Sequence, residues 1–173
     1  MSVRWLWIRR LPTNTAFGLV AQEETVVDKI KNILVAVDLY GGSEEVAGVA
    51  AGFAEAFSAK LYFLHVERGY PEIMGDPDVP DERDVVASEV RASHRELQEF
   101  RDKMTPPGVE AVALQIQGRT VQKIISEARA LDIDLMVVGF HRDGLHHLLA
   151  DDVIKRVLNH APCPVVVVPP PKR

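Results

Sequence analysis

The chain predicts an α/β fold: a five-stranded, mainly parallel sheet with helices on both faces. Three observations predict it. From Lys31 onward, short β-branched runs alternate with longer segments of helical spacing, the pattern of right-handed βαβ crossovers. The strand segments are apolar at successive positions, as strands covered on both faces are. Breakers stand between segments, as at Pro106, Pro107 and Gly108. With 173 residues, 47% of them hydrophobic, the chain can bury one good core, so a single domain is expected.

Each element follows from local chemistry. Residues 32–37 (NILVAV) form the first strand. Ser43 can cap the first helix, with Glu44 and Glu45 in its favourable first turn, and Val46, Val49, Ala50, Phe53 and Phe57 repeat at helical spacing behind it. Residues 60–66 (KLYFLHV) are the second strand. Residues 70–83 carry Pro71, Pro77 and Pro80 and read as an irregular loop. A long helix begins near Asp84, with Val86, Val90, Leu97, Phe100 and Met104 on one face, and stops at Pro106. Residues 110–115 are the third strand, with Val112 and Leu114 alternating with Ala111 and Ala113. Thr120 opens a third helix whose inner face is Val121, Ile124, Ile125 and Ala128. Residues 135–139 (LMVVG) are the fourth strand, a fourth helix runs from about Asp151 to His160 on Val153, Val157 and Leu158, and residues 165–168 are the fifth strand.

Composition excludes several classes. The net charge of −5 argues against nucleic acid, because phosphate backbones need a concentrated basic surface. No apolar run approaches the roughly 20 residues that span a bilayer. A single cysteine, Cys163, excludes an internal disulfide and any multi-cysteine metal site and suits a reducing cytoplasm. Residues 1–30 differ from the rest. Positions 1–22 hold Arg4, Arg9 and Arg10, two tryptophans and no acid. They read as a poorly ordered extension, or as the product of an upstream start codon, ahead of a domain spanning 31–173. A transit-type presequence and a weak membrane-surface or partner-binding arm are the alternatives.

The most informative stretch is 135–168. A buried strand ends at Gly139, a loop follows, and a helix leads into the last apolar run, which puts a loop where open α/β sheets bind ligands. Four features carry a resemblance: ILVAVDL with Asp38; LHV at 64–66; Gly118 after the third strand; and VVG at 137–139 followed by KRVLNHAPCPVVVVP. They resemble the universal stress protein family over roughly residues 31–169. The resemblance implies strand order 3-2-1-4-5, with the loops after Asp38 and Gly139 facing each other across the switch between strands one and four. It implies crevice residues Asp38, Gly41, Gly118, Gly139, His141 and Arg142. In nucleotide-binding members the aspartate matching Asp38 meets the adenosine, and a G-x2-G-x9-G-[ST] loop wraps the phosphates.

Glycines serve that loop because a backbone amide approaches phosphate closely only where no Cβ intrudes, and a helix N-terminus adds positive dipole. Here only Gly139 matches. The second glycine is Arg142, and the last pair is Asp152 and Val153, or Asp151 and Asp152 if the loop is one residue shorter. Like charges ~4 Å apart repel by about 1 kcal/mol in water and about 4 near a protein surface. Arg142 could compensate as a phosphate clamp, while Asp151 and Asp152 read more simply as N-terminal caps of helix four. The loop is therefore more similar to the family's universal stress protein A branch, which lacks the nucleotide motif and shares the G-x-H-x-D form of Gly139, His141 and Asp143. That branch implies a homodimer with no catalytic reaction.

Other residues have plainer readings. His141, His146 and His147, near Asp143, Asp151 and Asp152, match no metal-ligand spacing and read as a polar loop rim. His65 reads as a satisfied histidine of the core or crevice wall, and His160 as packing or C-capping of helix four. Gly41 and Gly42 make a tight turn and not a phosphate loop, since GxxxxGK[ST] is absent. The acidic run at 72–84 lacks a calcium-loop register. Val165–Val168 is an apolar edge strand, which a two-fold mate could pair. A homodimer through Cys163, Pro164, Val165, Val166, Val167 and Val168 is expected.

Two functions follow. The first is a cytoplasmic, non-enzymatic homodimer without cofactor that acts on an unidentified protein partner, with no nucleic acid and no membrane. The second is an ATP- or AMP-binding sensor with slow hydrolysis at most. An enzymatic adenine-nucleotide α-hydrolase reading has no catalytic motif behind it.

Overall fold

Nine elements alternate along the chain: β1 (Asn32–Ala36), α1 (Ser43–Phe57), β2 (Lys60–Glu67), α2 (Pro80–Met104), β3 (Ala111–Gln117), α3 (Thr120–Ala130), β4 (Leu135–Gly139), α4 (His147–His160) and β5 (Val165–Val168). They come from a computed structural model that describes residues 30–39, 42–67, 80–140 and 147–169, with the helical backbone alone at 80–83, 86 and 147–152. The strands form one sheet in the order β3-β2-β1-β4-β5, and every neighbouring pair is parallel. Both the fold class and the strand order agree with the expectation.

Strand alternation divides the core in two. Ile33 and Val35 of β1, with Leu61 and Phe63 of β2 and Leu135 and Val137 of β4, face α1 and α2. Leu34, Leu64, Met136 and Val138 face α3 and α4. The three central strands are thus buried on both faces, which explains their unbroken apolar runs. On α1 the face against the sheet is Val46 with the alanines at 47, 50, 51 and 54. Val49, expected inside, is 36% exposed, because the small alanines admit the closest approach to the sheet and so select the buried face. On α4 Ile154 and Val157 are buried and Leu158, expected inside, is 48% exposed.

Boundaries moved where a residue's exclusion applies only inside an element. Pro80, expected in an irregular loop, is the first residue of α2. Proline is tolerated there, since its missing N–H would be unpaired in any first turn. Positions 70–79 of that loop lie outside the described residues. β3 runs on to Gln117, two residues beyond expectation, because the polar Gln115 and Gln117 still pair in register with His65 and Glu67 of β2. α4 starts at His147, four residues early, since Leu149, Val153 and Val157 (i, i+4, i+8) extend the helical spacing backwards.

A carboxylate holds the entry to the sheet. Asp134 Oδ2 accepts the backbone N–H of Lys31 at 2.8 Å and of Asn32 at 2.9 Å. The Asp134 N–H in turn donates to the Asn32 carbonyl at 2.9 Å. This stitches the start of β1 to the start of β4 across about a hundred residues of sequence. Hydrogen bonds to a charged acceptor contribute about 1.5–3 kcal/mol when well screened from solvent, less where they are exposed. Asp134→Ala should therefore cost about 1–2 kcal/mol, read as a lower urea midpoint at unchanged m value. An unaltered midpoint would show that the stitch contributes nothing.

Candidate functional site

The sheet's chain path changes direction between β1 and β4. From β1 the chain moves outward to β2 and β3, and from β4 it moves the other way to β5. The connections leaving the carboxyl ends of β1 and β4 therefore diverge and leave a crevice. Ala36 pairs in register with Val138, so Asp38, two residues on, and Gly139, one residue on, stand at the same rim.

The turn after β1 is built from left-handed backbone. Leu39 has φ 64° and Gly42 has φ 99°, the second a conformation that glycine takes at little cost. Gly42 is the N-cap of α1, and no side chain caps that helix. Ser43, expected as the cap, is instead the first helical residue and is 3% exposed. Its Oγ donates backwards to Asp38 Oδ1 at 2.7 Å. The reason is positional: with glycine at the cap, the serine hydroxyl points into the crevice and meets the carboxylate in place of the helix amides. The turn so holds the Asp38 side chain at the rim. Sequence reasoning missed this pairing, although an aspartate closing a strand five residues before a helix-opening serine was its visible signal.

His65 forms the neighbouring wall. Its Nδ1 lies 2.9 Å from the Val37 carbonyl, and since a carbonyl only accepts, Nδ1 carries the hydrogen. The expected satisfied histidine is thus found, half-buried at the crevice wall. Gly118 stands two strands away from β1, at the end of β3, where its N–H donates to the Glu67 carbonyl at 2.9 Å. Its φ of 140° is a backbone conformation that L side chains rarely adopt, and a Cβ there would lie 2.9 Å from Lys123 Cε. Gly118 therefore serves the β3–α3 turn, two strands along the carboxyl edge from Asp38. Gly139 closes β4, in register with Val168, and the next N–H, of Phe140, donates to the Val168 carbonyl at 2.9 Å. Gly41, His141 and Arg142 lie outside the described residues, as do Asp143 and His146.

Asp151 and Asp152 do not cap α4. The helix begins at His147 and its first turn holds no acidic residue, so both aspartates sit in its body. Unpaired amides belong to the first positions of a helix; the amides of 151 and 152 already close helical bonds. At the other end, His160 Nδ1 donates to the Arg156 carbonyl at 2.8 Å, the C-terminal role expected of it. Cys163 is half-buried, and burial, then the charge of Asp134, pushes its thiol pKa up. A thiol so held is a poor source of thiolate, in keeping with a packing role. Among the described residues no group of three His, Cys, Asp or Glu could hold a metal ion, and no described helix is long and apolar enough to cross a membrane. β5 pairs with β4 on one side and with no described strand on the other.

The fold has clear relatives. The universal stress protein family model matches residues 29–169, and the chain belongs to that family. It is 31% identical to a universal stress protein of Thermus aquaticus over 143 residues, 80% of this chain and 98% of that one. It is 28% identical to the universal stress protein A homolog of Pasteurella multocida over 142 residues, 80% of this chain and 96% of the relative. Among solved structures, the Lactobacillus plantarum universal stress protein UspA matches with a TM-score of 0.67 at 23% identity, covering 80% of this chain and 97% of that one. An Archaeoglobus fulgidus universal stress protein, solved in complex with dAMP, matches with a TM-score of 0.56 at 22% identity over 79% and 96% of the two chains.

The Ser43–Asp38 bond can be weighed directly. Ser43→Ala leaves one acceptor of a partly buried carboxylate unmet and should cost about 1.5–3 kcal/mol. In a double-mutant cycle with Asp38→Ala the combined loss should fall short of the sum by about 1 kcal/mol. Additive losses in urea denaturation would mean that the bond does not hold the aspartate.

Proposed function

We propose that this chain is a non-enzymatic stress-response protein of the universal stress protein family, cytoplasmic and homodimeric, which acts through contacts with a protein partner and whose nucleotide site is degraded. The observation that carries the reading is the segment after β4. The family's phosphate-binding pattern asks for two further glycines and a hydroxyl residue beyond Gly139. This chain has Arg142 and, in one register, Asp151 and Asp152. Since α4 begins at His147, those aspartates stand on helix whose amides are already bonded. A phosphate brought there would meet acidic residues and gain no free N–H. The homodimer reading rests on β5, whose outer edge pairs with no strand among the described residues and carries four valines, Val167 among them 37% exposed.

The rival reading is a nucleotide sensor that binds ATP or AMP with slow hydrolysis at most. It is favoured by Asp38, held by Ser43 at the switch point, and by relatives solved with dAMP or cAMP. In that reading Asp38 holds the adenosine, and Gly139 with Arg142 the phosphates.

Calorimetric titration with ATP, with and without magnesium, on protein stripped of co-purified nucleotide separates the two. The non-nucleotide reading expects no heat up to millimolar ATP. A micromolar Kd overturns it, and Asp38→Ala should then abolish binding. Charge neutralisation without glycine's helix cost, by Asp151→Asn with Asp152→Asn, should raise ATP affinity by about tenfold for each ~1.4 kcal/mol of repulsion removed. No gain would sink the repulsion argument.

The dimer is tested through its exposed valine. The parent chain should sediment as a dimer and Val167→Lys as a folded monomer, because an edge lysine opposes strand pairing. A monomeric parent chain at micromolar concentration overturns the homodimer.

A further inference from the structure

On the side of the sheet opposite α1 and α2, the helices α3 and α4 pack against one another and leave an open groove of about 340 Å³ between them. Its floor is apolar: Val121 and Ile125, 9% and 7% exposed. Its rim is polar and one-signed. Gln122 and Arg129 reach it from α3, Arg156 and His160 from α4. The positions 122, 126 and 129 on one helix and 156 and 160 on the other are single-face spacings, so these groups converge on one channel.

Three features set the groove apart from ordinary solvated surface. Among the described residues no carboxylate lines it. Neither Arg129 nor Arg156 enters an ion pair among the described residues, whereas other surface cations do: Lys60 with Glu110, Arg101 with Asp102, Lys103 with Glu44. In a chain with five more acidic than basic charges, two arginines and a histidine grouped along one groove concentrate positive charge locally. Arg129 stands in the last turn of α3 and His160 in the last turn of α4, where cations complement the helix dipoles. That accounts for the ends of the helices, not for Arg156 a turn earlier or for the apolar floor between them.

We propose that the α3–α4 groove binds a small phosphate monoester with an apolar body, the phosphate clamped by Arg129 and Arg156 and the apolar part laid on Val121 and Ile125. Guanidinium forks match phosphate oxygens bidentately. Gln122 adds an amide donor at the rim. Ser126, which also lines the groove, donates its hydroxyl to the Lys123 carbonyl at 3.0 Å and so is spent as a donor. His160 likewise spends Nδ1 on the Arg156 carbonyl. The groove is separate from the crevice. Helices that return from one parallel strand to the next run against the strand direction, so the ends of α3 and α4 that carry Arg129 and His160 lie toward the amino ends of the strands, away from Asp38 and Gly139. It therefore does not depend on whether the crevice binds nucleotide.

The test is titration of the isotope-labelled full chain with phenyl phosphate, followed by amide NMR, with inorganic phosphate as a second probe. Saturable shifts should be confined to α3 and α4 around positions 122–131 and 154–161, and phenyl phosphate should bind more tightly than phosphate alone. Arg129→Gln with Arg156→Gln, both exposed positions that leave the core intact, should weaken binding at least tenfold. Lys155→Gln, an exposed neighbour outside the groove, should leave it unchanged. The proposal is overturned by the absence of saturable shifts at millimolar probe, by shifts centred on Asp38 and Gly139, by equal weakening in the Lys155 variant, or by undiminished affinity in the arginine variant. Equal affinity for phosphate and phenyl phosphate would overturn the apolar half of the assignment.

Discussion

The carboxyl rim of this molecule depends on the pairing of β1 with β4, two strands separated in the chain by two helices, two strands and a third helix. Ile33 sits opposite Leu135 and Ala36 opposite Val138. Both strands are buried on both faces, so a slip of one residue would exchange the residues facing α1 and α2 for those facing α3 and α4. Asp134 reinforces the same register from below by accepting the N–H groups of Lys31 and Asn32. Because the chain leaves β1 and β4 in opposite directions, this pairing alone puts Asp38 and Gly139 at the same rim.

At that rim, backbone conformation decides what the side chains do. Left-handed residues at Leu39 and Gly42 bring α1 in so that its first residue, Ser43, is buried against Asp38. A serine one position earlier would have capped the helix, and the carboxylate would have lost that donor. α4 makes the complementary point. Its start at His147 assigns the free amides of the helix to its first turn and withdraws those of 151 and 152. The strength of a helix terminus as an anion site lies in unpaired N–H groups, and their position along the chain matters as much as the residues beside them.

The two edges of the sheet are finished differently. β3 is half-buried along its length and is tied to α2 through Gln115, whose amide donates to Glu67 Oε1 at 2.6 Å and to the Val90 carbonyl at 3.3 Å. That edge strand thus carries polar side chains and is tied to a helix. β5 has four valines, ends at Val168 just before Pro169, and among the described residues its outer side pairs with no strand. Unprotected apolar edges pair or aggregate. The difference in polarity between the two edges is the physical basis of the two-fold pairing proposed for β5.

Much of the fold was legible in order along the chain. Parallel strands buried on both faces must be apolar at every position, so the runs at 32–37, 60–66 and 135–139 announced themselves, and helical spacing between them supplied the crossovers. The family followed from Asp38, Gly139 and the residues around His160 and Cys163. Of the candidate site, Asp38 and Gly139 were readable because strand ends are readable. The sequence by itself thus determined the class of fold, the position of the rim and the residues that follow Gly139. Tertiary structure alone decided that Ser43 serves Asp38 and not the helix, that Gly118 belongs to a turn two strands away, that α4 begins before Asp151, and that Arg129 and Arg156 share one groove. The physical reason is common to all four. Periodicity records which residues face the sheet, whereas hydrogen-bond partners and helix-to-helix juxtaposition depend on the angle and height at which each element docks, and these are set by contacts between residues far apart in the chain.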